Sequence, residues 1–433
     1  MNISWALIVF LLIFILIFVL RMPIPMGMMT ACVFYFLVTG ENVKMVGQQT
    51  LKTFYTNYTI VAVPLFIFAA NIMNSGKVTE KVFGFAKCFV GRFKGGLGHV
   101  NVLASLIFSG MTGSAIADAS GLGKMEIDAM REEGYDDGFS CAITAASATI
   151  GPIFPPSIPM VIYSMLSGAS VGALFMGGMV PGVLLAIALM VYVAIMAHKR
   201  NYPQSEKMSL KAMAKYSLTA LPAIFTPVIL LVGIYTGVMT PTEAGAIAAL
   251  YALLISVFAY KVLKWEGFKQ VLIDTVQGTG SVSIMIGAAT TISYIVAKEQ
   301  IASKVATAIM NLTDNKYVFL LIVNIAILIL GMFIDTSVIQ VVFIPILLPI
   351  AKAFGIDLVH FGLVVIFNMM IGLSTPPFGM LLFITSGVSG TPLTKVIKEI
   401  AYPLAAMLLV LALITYIPDV VLILPKMFLA YGG

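Results

Sequence analysis

The stretch IGPIFPPSIP at residues 150–159 interrupts apolar sequence, and IGLSTPPFGM at 371–380 repeats its Ile-Gly and Pro-Pro at matching spacing. Proline removes an amide donor and clashes with the preceding turn, so neither stretch continues a helix. The surroundings decide what such breaks mean. The 433 residues are 60% hydrophobic and 10% charged, whereas soluble domains carry about 25% charged residues. With a mean hydropathy of +1.04, the chain cannot clothe a water-facing surface. Apolar runs at 5–20, 171–197, 217–237, 242–262, 317–332 and 403–425 approach or exceed the ~20 residues a helix needs to cross a bilayer. An all-α polytopic membrane protein is predicted. Residues 5–20 read as a retained first helix, since no basic residue precedes them and no small-residue cleavage site follows.

The two breaks belong to a repeat. When the chain is slid against itself by 221 residues, Gly110-Met111 falls on Gly331-Met332, Gly134 on Gly355 and Asp136 on Asp357. Ile150-Gly151 falls on Ile371-Gly372, and Pro155-Pro156 on Pro376-Pro377. Glycine and proline dictate backbone shape, so these identities specify one unit twice. Each copy reads as a hairpin (98–135, 319–355) followed by a helix broken at the Gly/Pro cluster (139–168, 360–388).

Charge sets the orientation. The segment 75–97 carries Lys77, Lys81, Lys87, Arg92 and Lys94, and 198–216 carries Lys199, Arg200, Lys207, Lys211 and Lys215 against Glu206. Both loops are cytoplasmic by the positive-inside rule, as is Arg21 after the first helix, which leaves the N-terminus outside. The helix near 59–74 then runs inward and that near 279–297 outward, so the copies are inverted. The formal charge of +6 lies mostly in such loops and does not describe a nucleic-acid surface.

Unpaired backbone groups at membrane depth survive only inside protein or along a wet cavity. Paired broken helices in inverted halves mark the binding site of a secondary transporter. Proline kinks serving packing alone explain one break, but not two in register. The sequence thus predicts an inverted-repeat, elevator-type transporter with two re-entrant helical hairpins and two broken helices. Its units are N-terminal scaffold helices (1–74), a first transport repeat of arm, hairpin and broken helix (75–170), central scaffold helices with a cytoplasmic loop (171–278), a second inverted repeat (279–390) and a C-terminal helix (391–433). The amphipathic stretches 75–95 and 299–315 read as interfacial arms.

Within the hairpins, Ser114 falls on Asp335, each four residues after the repeated glycine. Asp335 has no charged residue within fifteen positions on either side, and intramembrane carboxylates are rare and functional. Asp118 stands beside the first of these positions. Glu126, Asp128, Glu132, Glu133, Asp136 and Asp137, interleaved with Lys124 and Arg131, read as a solvated hairpin exit. Cys32, Cys88 and Cys141 read as small buried side chains, and His99, His198 and His360 are too scattered to form a site. No Walker-type phosphate loop occurs. A passive channel would need a continuous polar pore, and an intramembrane enzyme would need a nucleophile or metal constellation; the sequence offers neither, and an enzyme is not expected.

SGMTGSAIADASGLG (109–123), IGPIFPPSIP and IGLSTPPFGM together resemble the large membrane subunit of tripartite ATP-independent periplasmic (TRAP) transporters, with motif order matching over essentially the whole chain. The resemblance implies a bacterial inner-membrane carrier coupled to Na+ that works by an elevator motion. It also implies a small four-helix membrane subunit, a soluble periplasmic substrate-binding protein and a small carboxylate cargo. Carried over by residue, sodium sites fall on Ser109 or Gly110 with Gly151 and Phe154, and on Gly331 with Gly372, Thr375 and Phe378. Substrate contacts fall on Ser114, Asp335 and Ser157. A distantly similar stand-alone symporter, working without a binding protein, is the alternative.

Overall fold

The computed structural model describes residues 4–20, 22–56, 58–74, 78–204, 209–429 and 431; Arg21, Lys77, Glu206 and Lys207 lie outside them. Helices α1 (Trp5–Val19), α2 (Ile24–Thr39) and α3 (Lys44–Thr56) open the chain, and α3 bends through 79° into α4 (Ala62–Asn74). The first copy continues through α5 (Val78–Val90), α6 (Gly96–Thr112), α7 (Ala115–Glu132), α8 (Asp137–Ala148), α9 (Ile158–Ser167) and α10 (Val171–Lys199). Next come α11 (Leu210–Tyr235) and α12 (Pro241–Leu254), the latter extended by a π-helical turn over Ile255–Ala259. The second copy comprises α13 (Trp265–Lys298), α14 (Ile301–Met310), α15 (Lys316–Gly331), α16 (Thr336–Ala353), α17 (Leu358–Leu373), α18 (Met380–Ser389) and α19 (Leu393–Tyr416), and α20 (Asp419–Phe428) closes the chain. Among the described residues there is no strand, and six helices are long and apolar enough to cross a membrane.

Side-chain contacts fix the inversion. Arg200, at the end of α10, reaches Asp136 before α8 (3.0 Å) and Glu399 near the start of α19 (2.8 Å). His360, in the first turn of α17, instead meets the carbonyl of Ile414 near the end of α19 (2.8 Å). The equivalent helices α8 and α17 therefore begin at opposite ends of α19 and run antiparallel.

The repeated residues have identifiable local tasks. Gly134 (φ +87°) and Gly355 (φ +65°) adopt the left-handed conformation that ends α7 and α16. The following amides, of Tyr135 and Ile356, each donate back to a carbonyl five residues earlier, Met130 and Ala351, at 3.0 Å. This is the Schellman closure, which favours glycine. Asp357 then caps α17 by accepting from the amides of Val359 (2.8 Å) and His360 (3.0 Å). Asp136 precedes α8 in the same way but makes no such bond, its carboxylate being taken by Arg200 and Tyr202.

Packing moves several boundaries drawn from sequence. The division at 278/279 falls inside the continuous helix α13, because the polar run DTVQGTGS (274–281) is accommodated where Asn71 of α4 donates to Thr275 at 3.0 Å. The division at 170/171 places α10 with the scaffold, yet α10 packs mainly on α6, α17, α19 and α20. The apolar run 403–425 is two helices, α19 ending before Ile417-Pro418. The C-terminal unit accordingly holds α19 and α20. Helices α1–α3 and most of α13 share a second core, to which Ile162 of α9 and Val341 of α16 also belong. The arm α5 buries Val78, Val82 and Ala86 and packs on α6 and α11, whereas α14 buries no residue fully and packs on α13 and α16.

Candidate functional site

Each hairpin turns where its second helix begins, and in both copies that helix is capped by the side chain matched in sequence. The Ser114 hydroxyl accepts from the amide of Ala117 (3.4 Å) and the Asp335 carboxylate from that of Ser337 (2.9 Å). Capping satisfies amides left free by the first turn, and it aims the positive end of each helix at the tip. The tips lie against the breaks. A Cβ on Gly113 (φ +60°) would come within 2.5 Å of the Pro156 carbonyl oxygen, and one on Gly151 within 3.3 Å of Ser114. In the second copy, Gly331 and Gly372 meet backbone to backbone: a Cβ on Gly372 would stand 2.6 Å from the Gly331 Cα. The Gly379 amide donates to the Met332 carbonyl at 3.3 Å, and the Ser374 hydroxyl bridges to the Ala145 carbonyl of α8 at 3.1 Å.

Ser114 and Asp335 share one cavity of about 560 Å³. Pro152 of the first break and Met370 and Leu373 beside the second also line it. From the tips it extends along α4 and α13 to Asn74, the last residue of α4 beside the basic segment 75–97, and to Asp274 in the third turn of α13, toward the side that the positive-inside rule makes cytoplasmic. Its lining contains two carboxylates, Asp274 and Asp335, and among the described residues no Lys, Arg or His. Asn71, Asn74, Asp274, Ser281, Thr336 and Ser337 were not singled out in sequence; the available signal was polar residues within otherwise apolar helices.

The other candidates divide. Ser157 is not brought to the cavity: it is fully buried, its hydroxyl donating to the Pro152 carbonyl (2.5 Å) and accepting from the Met160 amide (3.3 Å). Its hydrogen-bonding capacity is used in shaping the break. Ser109 and Thr375 are buried beside the tips, their hydroxyls donating to the carbonyls of Leu106 in α6 (2.6 Å) and of Ile371 near the end of α17 (2.7 Å). Gly110 abuts Pro155 and Pro227. Phe154 packs against Gly182 of α10, while Phe378 is 57% exposed and its ring lies tilted against that of Phe333, 5.5 Å between centroids. The oxygens that these residues offer around the breaks are hydroxyl and backbone oxygens, a set suited to a hard monovalent cation.

Glu126 corrects an expectation. It is fully buried, with neither carboxylate oxygen hydrogen-bonded among the described residues. The spacing Asp118, Leu122, Glu126 follows one face of α7, and that face is turned inward. Its neighbours do form the expected charged exit: Glu133 pairs with Lys87 (3.1 Å) and Asp137 with Arg131 (2.7 Å).

Comparison with known proteins agrees with this architecture. Residues 11–420 match the family described as the DctM component of the tripartite ATP-independent periplasmic transporter. The sialic acid TRAP transporter large permease protein SiaM of Vibrio cholerae is 43% identical, covering 93% of this chain and 94% of that protein. The C4-dicarboxylate TRAP transporter large permease protein DctM of Pseudomonas aeruginosa is 37% identical over 88% of this chain and 90% of that one. The YdaH transporter of Alcanivorax borkumensis shares the fold, with a TM-score of 0.61 over 86% of this chain and 88% of that one at 13% identity. The chain is a multi-pass protein of a bacterial inner membrane and a transport component, and it belongs to the TRAP transporter family as a large membrane subunit.

Proposed function

We propose that this chain is the carrier of a sodium-coupled importer, taking a small organic carboxylate from a periplasmic binding protein and working beside a small four-helix membrane subunit. The observation that carries this reading is the pairing of Ser114 and Asp335, repeat-related helix caps, across one cavity between the two breaks. The helix N-termini at the tips offer amides and positive dipole ends to the substrate carboxylate. Asp335 accepts from substrate hydroxyl or amide donors. An anion entering a cavity whose formal charges, among the described residues, are negative is repelled unless cations accompany it, and that makes sodium coupling electrostatically useful. Ser109, Gly110, Gly151 and Phe154 hold one sodium ion; Gly331, Gly372, Thr375 and Phe378 hold another. Sodium drives the change of state only by binding one state better, and a 99:1 switch needs about 5.5 kcal/mol of such preference. The body of hairpins and broken helices moves as an elevator against α1–α4 and α11–α13.

Uptake of labelled carboxylates, sialic acid among them, into vesicles reconstituted with both membrane subunits tests this. The expected result is accumulation that requires the binding protein and an inward sodium gradient. Accumulation indifferent to sodium removes the coupling, and full uptake without the binding protein favours the stand-alone symporter.

A further inference from the structure

An open groove of about 660 Å³ runs between α10 and α19, away from the cavity of the tips. Its walls are the stripe Leu184, Ala188, Val191 and Ile195 on α10 and the stripe Ala406, Leu409 and Leu413 on α19, spaced as one face of each helix. One feature marks its cytoplasmic end. Lys199 is exposed there and forms no ion pair among the described residues, unlike the adjacent Arg200, which is held by Asp136 and Glu399. The opposite end is apolar throughout.

A groove apolar along its length, with one cation at a single end, is complementary to an amphiphile with an anionic head. Length separates a lipid from a partner helix. From Leu184 to Lys199 is ~22 Å at 1.5 Å per residue, which matches half of a bilayer ~40–45 Å thick including headgroups. A spanning helix would need the whole hydrocarbon core of ~30 Å.

We propose that this groove binds one anionic phospholipid of the cytoplasmic leaflet, its phosphate at Lys199 and an acyl chain between α10 and α19. The lipid bridges the helices that end the two repeats and so braces their seam.

The full chain is purified from vesicles containing phosphatidylcholine and phosphatidylglycerol, and co-purifying lipid is measured by mass spectrometry. Retention of phosphatidylglycerol about fivefold above phosphatidylcholine is expected, the worth of one lysine at an anionic surface. Lys199→Gln should bring the two lipids to parity, and Ala405→Trp, which fills the groove, should abolish retention. Lys199 is exposed, so its variant folds and remains decisive if the tryptophan does not. Equal retention of both lipids by the wild-type protein, or an unchanged preference in Lys199→Gln, overturns the proposal. So does a crosslink from a photoreactive group at position 191 to a polypeptide, whether a second copy or another subunit.

Discussion

The two copies share their glycines and prolines yet live in different surroundings. In α6, 14 of 17 residues are buried, against five of 16 in α15. Around the first break residues 149–157 are buried apart from the half-buried Phe154, whereas at the second Pro377 and Phe378 are exposed. The first hairpin is clasped by its neighbours: Gly110 abuts Pro227 of α11, and α4 and the arm α5 pack against α6. The second hairpin presents Ile325 and Ile329 outward and holds to its broken helix by the Gly331–Gly372 contact. One backbone instruction thus produces a unit that is enclosed from outside in one copy and self-fastened in the other. On the proposed elevator reading, the opposite state exchanges these environments, with the second copy clasped and the first released.

The difference at the tips is sharpest where serine matches aspartate. Asp335→Ala removes a charged acceptor from the cavity, and losing a charged hydrogen bond of up to ~3 kcal/mol lowers uptake by about 100-fold. Ser114→Ala removes a neutral hydroxyl, and a loss of ~1 kcal/mol lowers uptake by about five-fold. Each also removes a helix cap worth ~1 kcal/mol, so thermal unfolding of the purified variants should shift alike. Uptake assays on vesicles with matched protein content separate the two effects. Wild-type uptake by Asp335→Ala would remove that carboxylate from the mechanism, and equal losses at both positions would make the tips functionally symmetric.

The self-fastened copy should tolerate a methyl group least. A Cβ on Gly372 faces backbone, the Gly331 Cα at 2.6 Å, while one on Gly151 has its nearest neighbour at 3.2 Å. Overpacking that cannot be relieved by a side chain costs ~1–3 kcal/mol. Gly372→Ala is therefore expected to lie near the top of that range and Gly151→Ala at or below its bottom. Thermal or denaturant unfolding in one detergent ranks them, and the reverse ranking breaks the account of how the second hairpin is held.

The repeat was legible in sequence because its identities lie at residues that act on backbone locally. Gly134 and Gly355 close helices through their own φ, and the paired prolines of both clusters lie where a helix is interrupted, although single prolines such as Pro222 and Pro227 sit inside the continuous α11. What could not be read depended on contacts distant in sequence. Asp136 and Asp357 are the same residue at the same repeat position, yet only Asp357 caps, because Arg200 and Tyr202 arrive from the end of α10 to claim Asp136. Glu126 stands among charges that face water, and only the inward face of α7 distinguishes it. Ser114 and Asp335 were legible as a pair, whereas Asn71 and Asp274 enter the cavity only because α4 lies along α13.

That divergence of the matched aspartates gives the smallest and most specific effect. At the cytoplasmic corner the Tyr202 hydroxyl donates to Asp136 at 2.6 Å and Arg200 at 3.0 Å, and together they hold its carboxyl below the ordinary carboxylate range. A group whose folded pKa is lowered contributes stability that is present above its unfolded value, about 3.9, and is lost as pH falls through the folded one. Tyr202→Phe removes the largest single cause, so Asp136 titrates nearer the ordinary range and the corner loosens at a higher pH than in the wild-type protein. At neutral pH the cost is about 1 kcal/mol or less, since the site is solvent-screened. The gap between variant and wild type should narrow on acidification, because once Asp136 is protonated in both there is no charge left for Tyr202 to favour. Unfolding followed from neutral pH down through the carboxylate range tests this, and a gap that stays constant would make Tyr202 a packing residue, its ring stacked on Tyr135 at 4.5 Å, with no electrostatic part in holding α8 to α10.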